Sequence, residues 1–169
     1  GGVRFEEGTQ NGINHFMAIM VTKGTKHQSS LEIAKKVERM AGSLNGFSGY
    51  NSFGLTFTFL GHHFEEAFAL FTEVLRQPSF DGQEMEKRRR SILASIRQQE
   101  DDLDAQVFKL FRKTLYGRHP YRMDTLGTLD SVQKITQKDL KEYYHRMVVP
   151  ENMVLSVAGD VDLNQVVSL

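Results

Sequence analysis

Residues 11–25 of the chain read Asn-Gly-Ile-Asn-His-Phe-Met-Ala-Ile-Met-Val-Thr-Lys-Gly-Thr. Four apolar residues of this stretch have the i, i+3, i+4, i+7 spacing of one helix face: Ile13, Phe16, Met17 and Met20. Asn11-Gly12 precedes the pattern as a cap, and Gly24 follows it as a stop signal. The stretch therefore predicts a helix with one apolar stripe.

Downstream of this helix the pattern first stays helical and then changes to a period of two. Ser29 and Glu32 have capping-box spacing and predict a second helix that ends at Gly42. The residues expected to face inward on it are Leu31, Ala34, Val37, Met40 and Ala41. A β-hairpin is predicted next, because residues 53–59 alternate aromatic or apolar side chains with small or polar ones and residues 44–50 form a second candidate strand. Asn51-Ser52 is the expected turn.

The remaining sequence is mostly helical in pattern. Helical spacing returns over residues 64–75, 85–100, 107–115 and 140–144, with Asp81 and Thr136 as candidate caps. Residues 153–158 predict a short apolar strand, and residues 160–169 begin one more helix. We therefore expect one α+β domain over residues 1–169, with helices packed on one face of an antiparallel sheet. Because residues 153–169 are still patterned, we also expect a fragment of a longer protein, whose missing flank supplies further strands.

Composition excludes several classes of function. The 169 residues contain 21 basic and 21 acidic side chains, so a neutral chain has no overall field to attract nucleic acid. The absence of cysteine excludes disulfides, thiolate metal sites and cysteine nucleophiles. No apolar run approaches the roughly 20 residues that span a bilayer, so we expect no membrane partner. The compartment stays open between cytoplasm and periplasm.

Several short motifs, taken in order, resemble the pitrilysin/insulinase family of zinc peptidases. Residues 11–25 resemble the family's Gly-Ile-Ala-His-Phe-Leu-Glu-His-Met, followed by Lys-Gly-Thr. Residues 38–46 look like its Gly-Gly-x-x-Asn-Ala turn into a strand, and residues 86–93 look like its Glu-Arg-x-x-Ile-Leu helix. Tyr116-Gly117-Arg118-His119-Pro120-Tyr121, Leu126-Gly127-Thr128 and Val157-Ala158-Gly159-Asp160 match later landmarks. The wording around His15 looks most like the third of four domains in long bacterial members, in the C-terminal half.

The resemblance implies a zinc site that this sequence has lost. In His-x-x-Glu-His, two imidazoles at i and i+4 ligate zinc and the Glu between them acts as general base. The corresponding positions here are His15, Ala18 and Ile19, and the family's third ligand, a Glu, aligns with Ser95. Only His15 can donate to a metal, and zinc needs at least three protein ligands. We expect no catalytic residue and no metal in this segment, and we expect zinc in the catalytic half of the parent protein.

On a helical wheel, His15, Ala18 and Ile19 share a face with Thr22, opposite the apolar stripe. The sequence therefore predicts that the helix keeps its core-facing side and that only the former chemical side has changed.

The glycine-rich first strand is the candidate peptide contact. The resemblance implies that the equivalent strand of catalytic relatives borders the cleft and that substrate adds to it as an extra strand. Small residues let another backbone approach closely, so Asn45, Gly46 and Phe47 are candidate substrate-binding residues. The alternative is a plain hairpin with bulges.

Together these features imply a non-catalytic domain of a zinc metalloendopeptidase. Its expected role is to complete a substrate chamber and bind peptide or unfolded protein. Its expected partner is a catalytic domain of the same polypeptide or a paralogous subunit. The alternative is a structural or assembly subunit of the same family with no proteolytic role. Residual peptidase activity through an unusual site is a third possibility, disfavoured because no candidate base lies beside His15.

Overall fold

The structure is a computed structural model that describes residues 1–167, with Gln165 described by its backbone alone. The helices, in chain order, are α1 (Ile13–Val21), α2 (Ser30–Arg39), α3 (Phe64–Arg76), α4 (Gly82–Glu100), α5 (Leu103–Tyr116), α6 (Leu129–Lys134), α7 (Gln137–Met147) and α8 (Leu163–Val167). The strands are β1 (Ser43–Ser48) and β2 (Phe53–Thr58). Short 3₁₀ turns lie at Val3–Phe5, Gly8–Gln10, Gly61–His63, Pro120–Arg122 and Pro150–Asn152.

Helix α1 lies at the centre of the domain. It contacts both strands as well as α4 and α7. Phe16, Met17 and Met20 are fully buried, as the predicted stripe requires. Around them the core takes one or more side chains from each of α2, α3, α4, α6 and α7. The fold class is thus the predicted one, with helices packed against an antiparallel sheet.

The two strands form the predicted hairpin. They pair antiparallel with Leu44 opposite Phe57 and Gly46 opposite Leu55. The connection is four residues long and is closed by a hydrogen bond from the Gly49 amide to the Ser52 carbonyl at 2.8 Å. Within the described part of the chain the sheet has these two strands only.

Two glycines explain how the N-terminus of α1 is held. Gly12 (φ 93°) and Gly127 (φ 88°) have left-handed backbones and lie back to back. A Cβ on Gly12 would lie 2.6 Å from the Leu126 carbonyl oxygen, and one on Gly127 would lie 2.5 Å from that of Asn11. Only glycine satisfies both requirements, so the loop before α6 can cross directly over the start of α1.

The structure differs from the sequence predictions in three places. The buried residues of α2 are Ile33 at its start and Met40 just after its end, whereas Leu31 is 64% exposed and Ala34 and Ala41 are also exposed. Val37 and Met40 pack against the core as predicted, and Ile33 takes the inward place expected of Leu31, Ala34 and Ala41. The sequence patterns did not predict helix α6, although Thr128 and Ser131 form a reciprocal cap at its start.

The third error is the predicted strand at residues 153–158. The segment is irregular and exposed, and Val154 is 97% exposed. A strand needs a neighbour to accept and donate its ladder hydrogen bonds, and no strand pairs with this segment among residues 1–167. The helix predicted from residue 160 is observed at Leu163–Val167, while residues 168 and 169 lie outside the described residues.

Candidate functional site

The imidazole of His15 lies on the side of α1 that faces β1. It is half-buried, and its Nδ1 atom lies 3.5 Å from the hydroxyl oxygen of Ser48. Burial lowers the pKa of His15 below its ordinary value, and the negative charge of Asp124 opposes this shift without cancelling it. The side chain is therefore neutral near pH 7 and able to make one hydrogen bond to the hairpin.

Ala18, one turn further along α1, lies under the middle of β1. A Cβ built on Gly46 would lie 2.0 Å from the Ala18 carbonyl oxygen and 2.6 Å from its carbonyl carbon. Strand and helix backbones thus touch at this crossing. Ala18 is 2% exposed and Thr22 is 5% exposed, so the face of α1 opposite the apolar stripe is buried as well.

This crossing also changes the interpretation of Gly46. Its small size was predicted to admit a peptide backbone, but the backbone that approaches it is that of α1 in the same chain. Internal packing is therefore sufficient to explain the glycine.

Asn45 and Phe47 project from the opposite face of the hairpin. Residues of β1 alternate between exposed and half-buried, and these two are on the exposed side. Asn45 donates a hydrogen bond from Nδ2 to the Ser43 hydroxyl oxygen at 2.7 Å. Phe47 is 48% exposed, and its ring lies against Gly54 of β2, where a Cβ would come within 2.8 Å of the ring. The structure thus separates the three candidate contacts, with Gly46 facing inward.

An apolar cavity of about 380 Å³ lies beside Phe47 and Ala18. Its walls come from β2, α3, the end of α7 and residues 152–155. The lining is mainly aromatic and aliphatic. Its aromatic side chains are Phe47, Phe53, Phe68, Phe71 and Tyr144. The periodicity of the sequence does not predict this cavity, because its lining residues range from Gly1 to Leu155.

A buried carboxylate holds the N-terminus of α1, and sequence reasoning missed it. Glu6 is 6% exposed and accepts hydrogen bonds from the Asn11 side chain (2.8 Å) and from the backbone amides of Gly12 and Asn14 (2.9 Å each). Burial raises the pKa of Glu6, while the three hydrogen bonds act in the opposite direction. Asn11 also donates to the Asp124 carbonyl oxygen at 2.8 Å. This network fixes the start of the helix that carries His15.

Two models of one known protein family match the sequence of this chain. A family model described as Insulinase (Peptidase family M16) matches residues 1–129, and one described as Peptidase M16 inactive domain matches residues 134–169. The chain belongs to the insulinase family, peptidase family M16. The resemblance seen in the sequence is therefore confirmed at the level of the family.

Bacterial members of the family are similar over nearly the whole chain. The Bacillus subtilis protein named Uncharacterized zinc protease YmxG is 31% identical over 95% of this chain and 39% of its own length. A Helicobacter pylori protein named Non-peptidase homolog YmxG is 28% identical over 98% of this chain and 38% of its own length. The chain thus spans about two fifths of these relatives.

A solved structure shows the same fold. The crystal structure of a protease from Helicobacter pylori superimposes with a TM-score of 0.93 at 24% identity, over 99% of this chain and 41% of that one. At this identity the similarity concerns the fold alone.

The family's zinc does not fit the residues present here. His15 offers one imidazole nitrogen, Ala18 and Ile19 offer alkyl groups, and Ser95 is an exposed serine on α4. Zinc in proteins takes three or four nitrogen, sulfur or carboxylate ligands, so one imidazole and one hydroxyl do not make a site. Within the described part of the chain, no three His, Asp or Glu side chains are grouped to hold a metal ion. Over residues 1–167, no helix is both long and apolar enough to cross a membrane.

Proposed function

We propose that residues 1–169 are a single non-catalytic domain of a zinc metalloendopeptidase of this family. In this proposal the domain binds extended peptide and completes a substrate chamber. A catalytic domain of the same polypeptide, or a paralogous subunit, carries zinc and hydrolyses the peptide bond. The observation that carries the proposal is the α1–β1 crossing, where α1 keeps its buried apolar stripe but only His15, of the three aligned chemical positions on this helix, has a metal-binding group.

The free edge of β1 supports the peptide-binding part of the proposal. β1 pairs with β2 on one side, and no other described strand pairs with it on the other. An extended peptide can add to such an edge through main-chain hydrogen bonds. Asn45 and Phe47 would then supply side-chain contacts, while Gly46 would contribute its backbone only.

The apolar cavity supports the same function. Its volume of about 380 Å³ falls in the range of ligand pockets, roughly 300–1,000 Å³. Phe47 is part of its lining, so a peptide on β1 would bring a side chain to its mouth. The lining favours aliphatic or aromatic peptide side chains, which are exposed in unfolded protein.

The test of peptide binding uses fluorescence anisotropy. The probe is a fluorescein-labelled, unstructured decapeptide with Val and Leu at alternate positions. We expect the chain to bind it and Phe47→Ser to weaken binding by about fivefold or more, because an aromatic side chain in contact with the peptide is lost. Leu60→Ser is the matched control, because Leu60 is 51% exposed just after the same hairpin and does not line the cavity. Equal losses in both variants, or no binding at all, would contradict the proposal.

The test of the non-catalytic part uses metal content and peptide turnover. We expect the chain to retain far less than one equivalent of zinc after dialysis and to leave the decapeptide intact. Zinc near one equivalent that is lost in His15→Ala would overturn the proposal.

A structural or assembly role without proteolysis is the second candidate function. It is favoured by the name of the Helicobacter pylori relative, Non-peptidase homolog. The two functions require different partner domains. Only the first function requires a domain or subunit with an intact His-x-x-Glu-His. If the natural assembly contains no such site, the structural role is favoured.

A further inference from the structure

Helix α5 has its apolar side turned outward. Six large apolar residues of this helix are 57–81% exposed: Leu103, Val107, Phe108, Leu110, Phe111 and Leu115. None of the fourteen residues of α5 is buried. A surface helix of a globular domain normally turns this side toward the core.

The inward side of α5 is mostly polar. The half-buried positions are Ala105, Gln106, Lys109 and Arg112. Gln106 donates to the Gln99 carbonyl oxygen at 3.0 Å, and Arg112 forms an ion pair with the buried Asp124 at 3.2 Å. These contacts fix the rotation of the helix, so its outward apolar face is part of the fold.

The exposed face of α5 is as large as the largest apolar patches of monomeric proteins. Six side chains of this kind, about two thirds exposed, present on the order of 600 Å² of apolar surface. The largest apolar patch of a monomer is about 300–600 Å², and one side of a standard protein interface is about 800 Å². The basic residues Lys109 and Arg112 lie on the other side of the helix, so the surface is suited to an apolar partner rather than to an acidic one.

We propose that the outward face of α5 is the docking surface for a companion domain of the same longer polypeptide. This inference rests on the proposed function, which places the chain in a larger peptidase-family protein. The relatives support this occupant, because this chain accounts for only 38–41% of their length and the remainder can supply a further domain. Interfaces between domains of one chain bury about 600–1,500 Å² in total, and a patch of this size fits that range.

Cysteine labelling tests this proposal, because the 169 residues contain no cysteine. Val107→Cys places a thiol on the α5 face, and Leu31→Cys places one on α2; both native side chains are 64% exposed on helices. Each variant is made in the 169-residue chain and in the natural-length polypeptide, and its reaction rate with a maleimide is read by peptide mass spectrometry. We expect the two thiols to react at similar rates in the short chain. In the natural-length polypeptide the Val107→Cys thiol should react at least tenfold more slowly, with Leu31→Cys unchanged.

Two outcomes would overturn the inference. The first is equal labelling of Val107→Cys in both lengths, which would mean that the face stays open. The second is protection that already occurs in the short chain and increases with protein concentration, which would mean that a second copy covers it.

Hydrogen exchange of the α5 amides in the unsubstituted proteins makes the same comparison without any variant. The decapeptide titration, run on the same preparations, reports on β1 independently of α5. If α5 is protected in the natural-length polypeptide but the decapeptide does not bind, only the proposed peptide-binding role is contradicted. The reverse result would contradict only the docking surface.

Discussion

Replacement of Gly46 by alanine tests the α1–β1 crossing. The added Cβ would lie 2.0 Å from the Ala18 carbonyl oxygen, whereas ordinary contacts begin at 3.4 Å. Strand and helix would have to separate by about 1.4 Å, and neither contact atom is a side chain that can rotate away. Overpacking typically destabilises a protein by about 1–3 kcal/mol, and a backbone-to-backbone clash belongs at or above the upper end. We expect Gly46→Ala to lower the free energy of unfolding by about 3 kcal/mol, or the melting temperature by about 10 °C.

Urea denaturation followed by circular dichroism measures this change. Gly82→Ala is the matched control, because no atom lies within 4 Å of the Cβ it would add at the start of α4. That variant should be neutral or more stable by up to about 1 kcal/mol, since alanine restricts the unfolded chain more than glycine does. A Gly46→Ala protein that keeps its stability within about 0.5 kcal/mol and loses peptide affinity would refute our reasoning. Gly46 would then be small for the substrate and not for α1.

Three further predictions concern the surroundings of α1. Glu6→Ala should lower the free energy of unfolding by about 2–4 kcal/mol, because two backbone amides and one side-chain amide lose their buried acceptor. Thermal unfolding above pH 6 measures this change, and a decrease in melting temperature of less than about 1 °C would contradict the prediction. Arg89→Met should lower the free energy of unfolding by about 2 kcal/mol, because the guanidinium of Arg89 donates to carbonyl groups at the end of α6, including that of Ile135 at 2.7 Å. Arg90→Met, on the exposed side of α4, should lower it by less than about 0.5 kcal/mol. Equal losses in the two variants would contradict a capping role for Arg89. The pKa of His15 is lower in the folded state than its ordinary value of 6.5, so on acidification the unfolded chain binds the proton before the folded chain does. The free energy of unfolding should therefore fall as pH drops through about 6.5, and denaturant titrations at several pH values should show a flatter profile for His15→Gln. Identical profiles for the two proteins would contradict this prediction.

Local sequence signals were sufficient for most elements. The i, i+3, i+4, i+7 spacing around Phe16 predicted α1, and the alternation over residues 53–59 predicted the hairpin, because each pattern reflects burial on one side of a single element. Ser29 and Thr136 predicted helix starts correctly, since a cap involves only residues three apart, and both form capping boxes.

Where two elements meet, the sequence was a weaker guide. On α2, Leu31 and Ile33 are both acceptable members of an apolar stripe, and the choice of Ile33 depends on the hairpin and helices packed around it. Residues 153–158 have strand-like composition but no partner, and composition does not supply one. The run Arg88-Arg89-Arg90 is typical of a solvated helix face, yet the side chain of Arg89 is 11% exposed and donates to the carbonyl oxygen of Val132, 43 residues away.

By itself, the sequence determined the family, the α+β class, the helix around His15 and the loss of the groups that could ligate zinc there, because these depend on residue identity and on spacing within one element. Only the tertiary structure decided that Gly46 faces Ala18, that Glu6 holds the start of α1, that an apolar cavity opens beside Phe47 and that α5 turns its apolar face outward. Each of these depends on the approach of segments far apart in the chain, and the free energy of that approach comes from packing and burial, which no local pattern records.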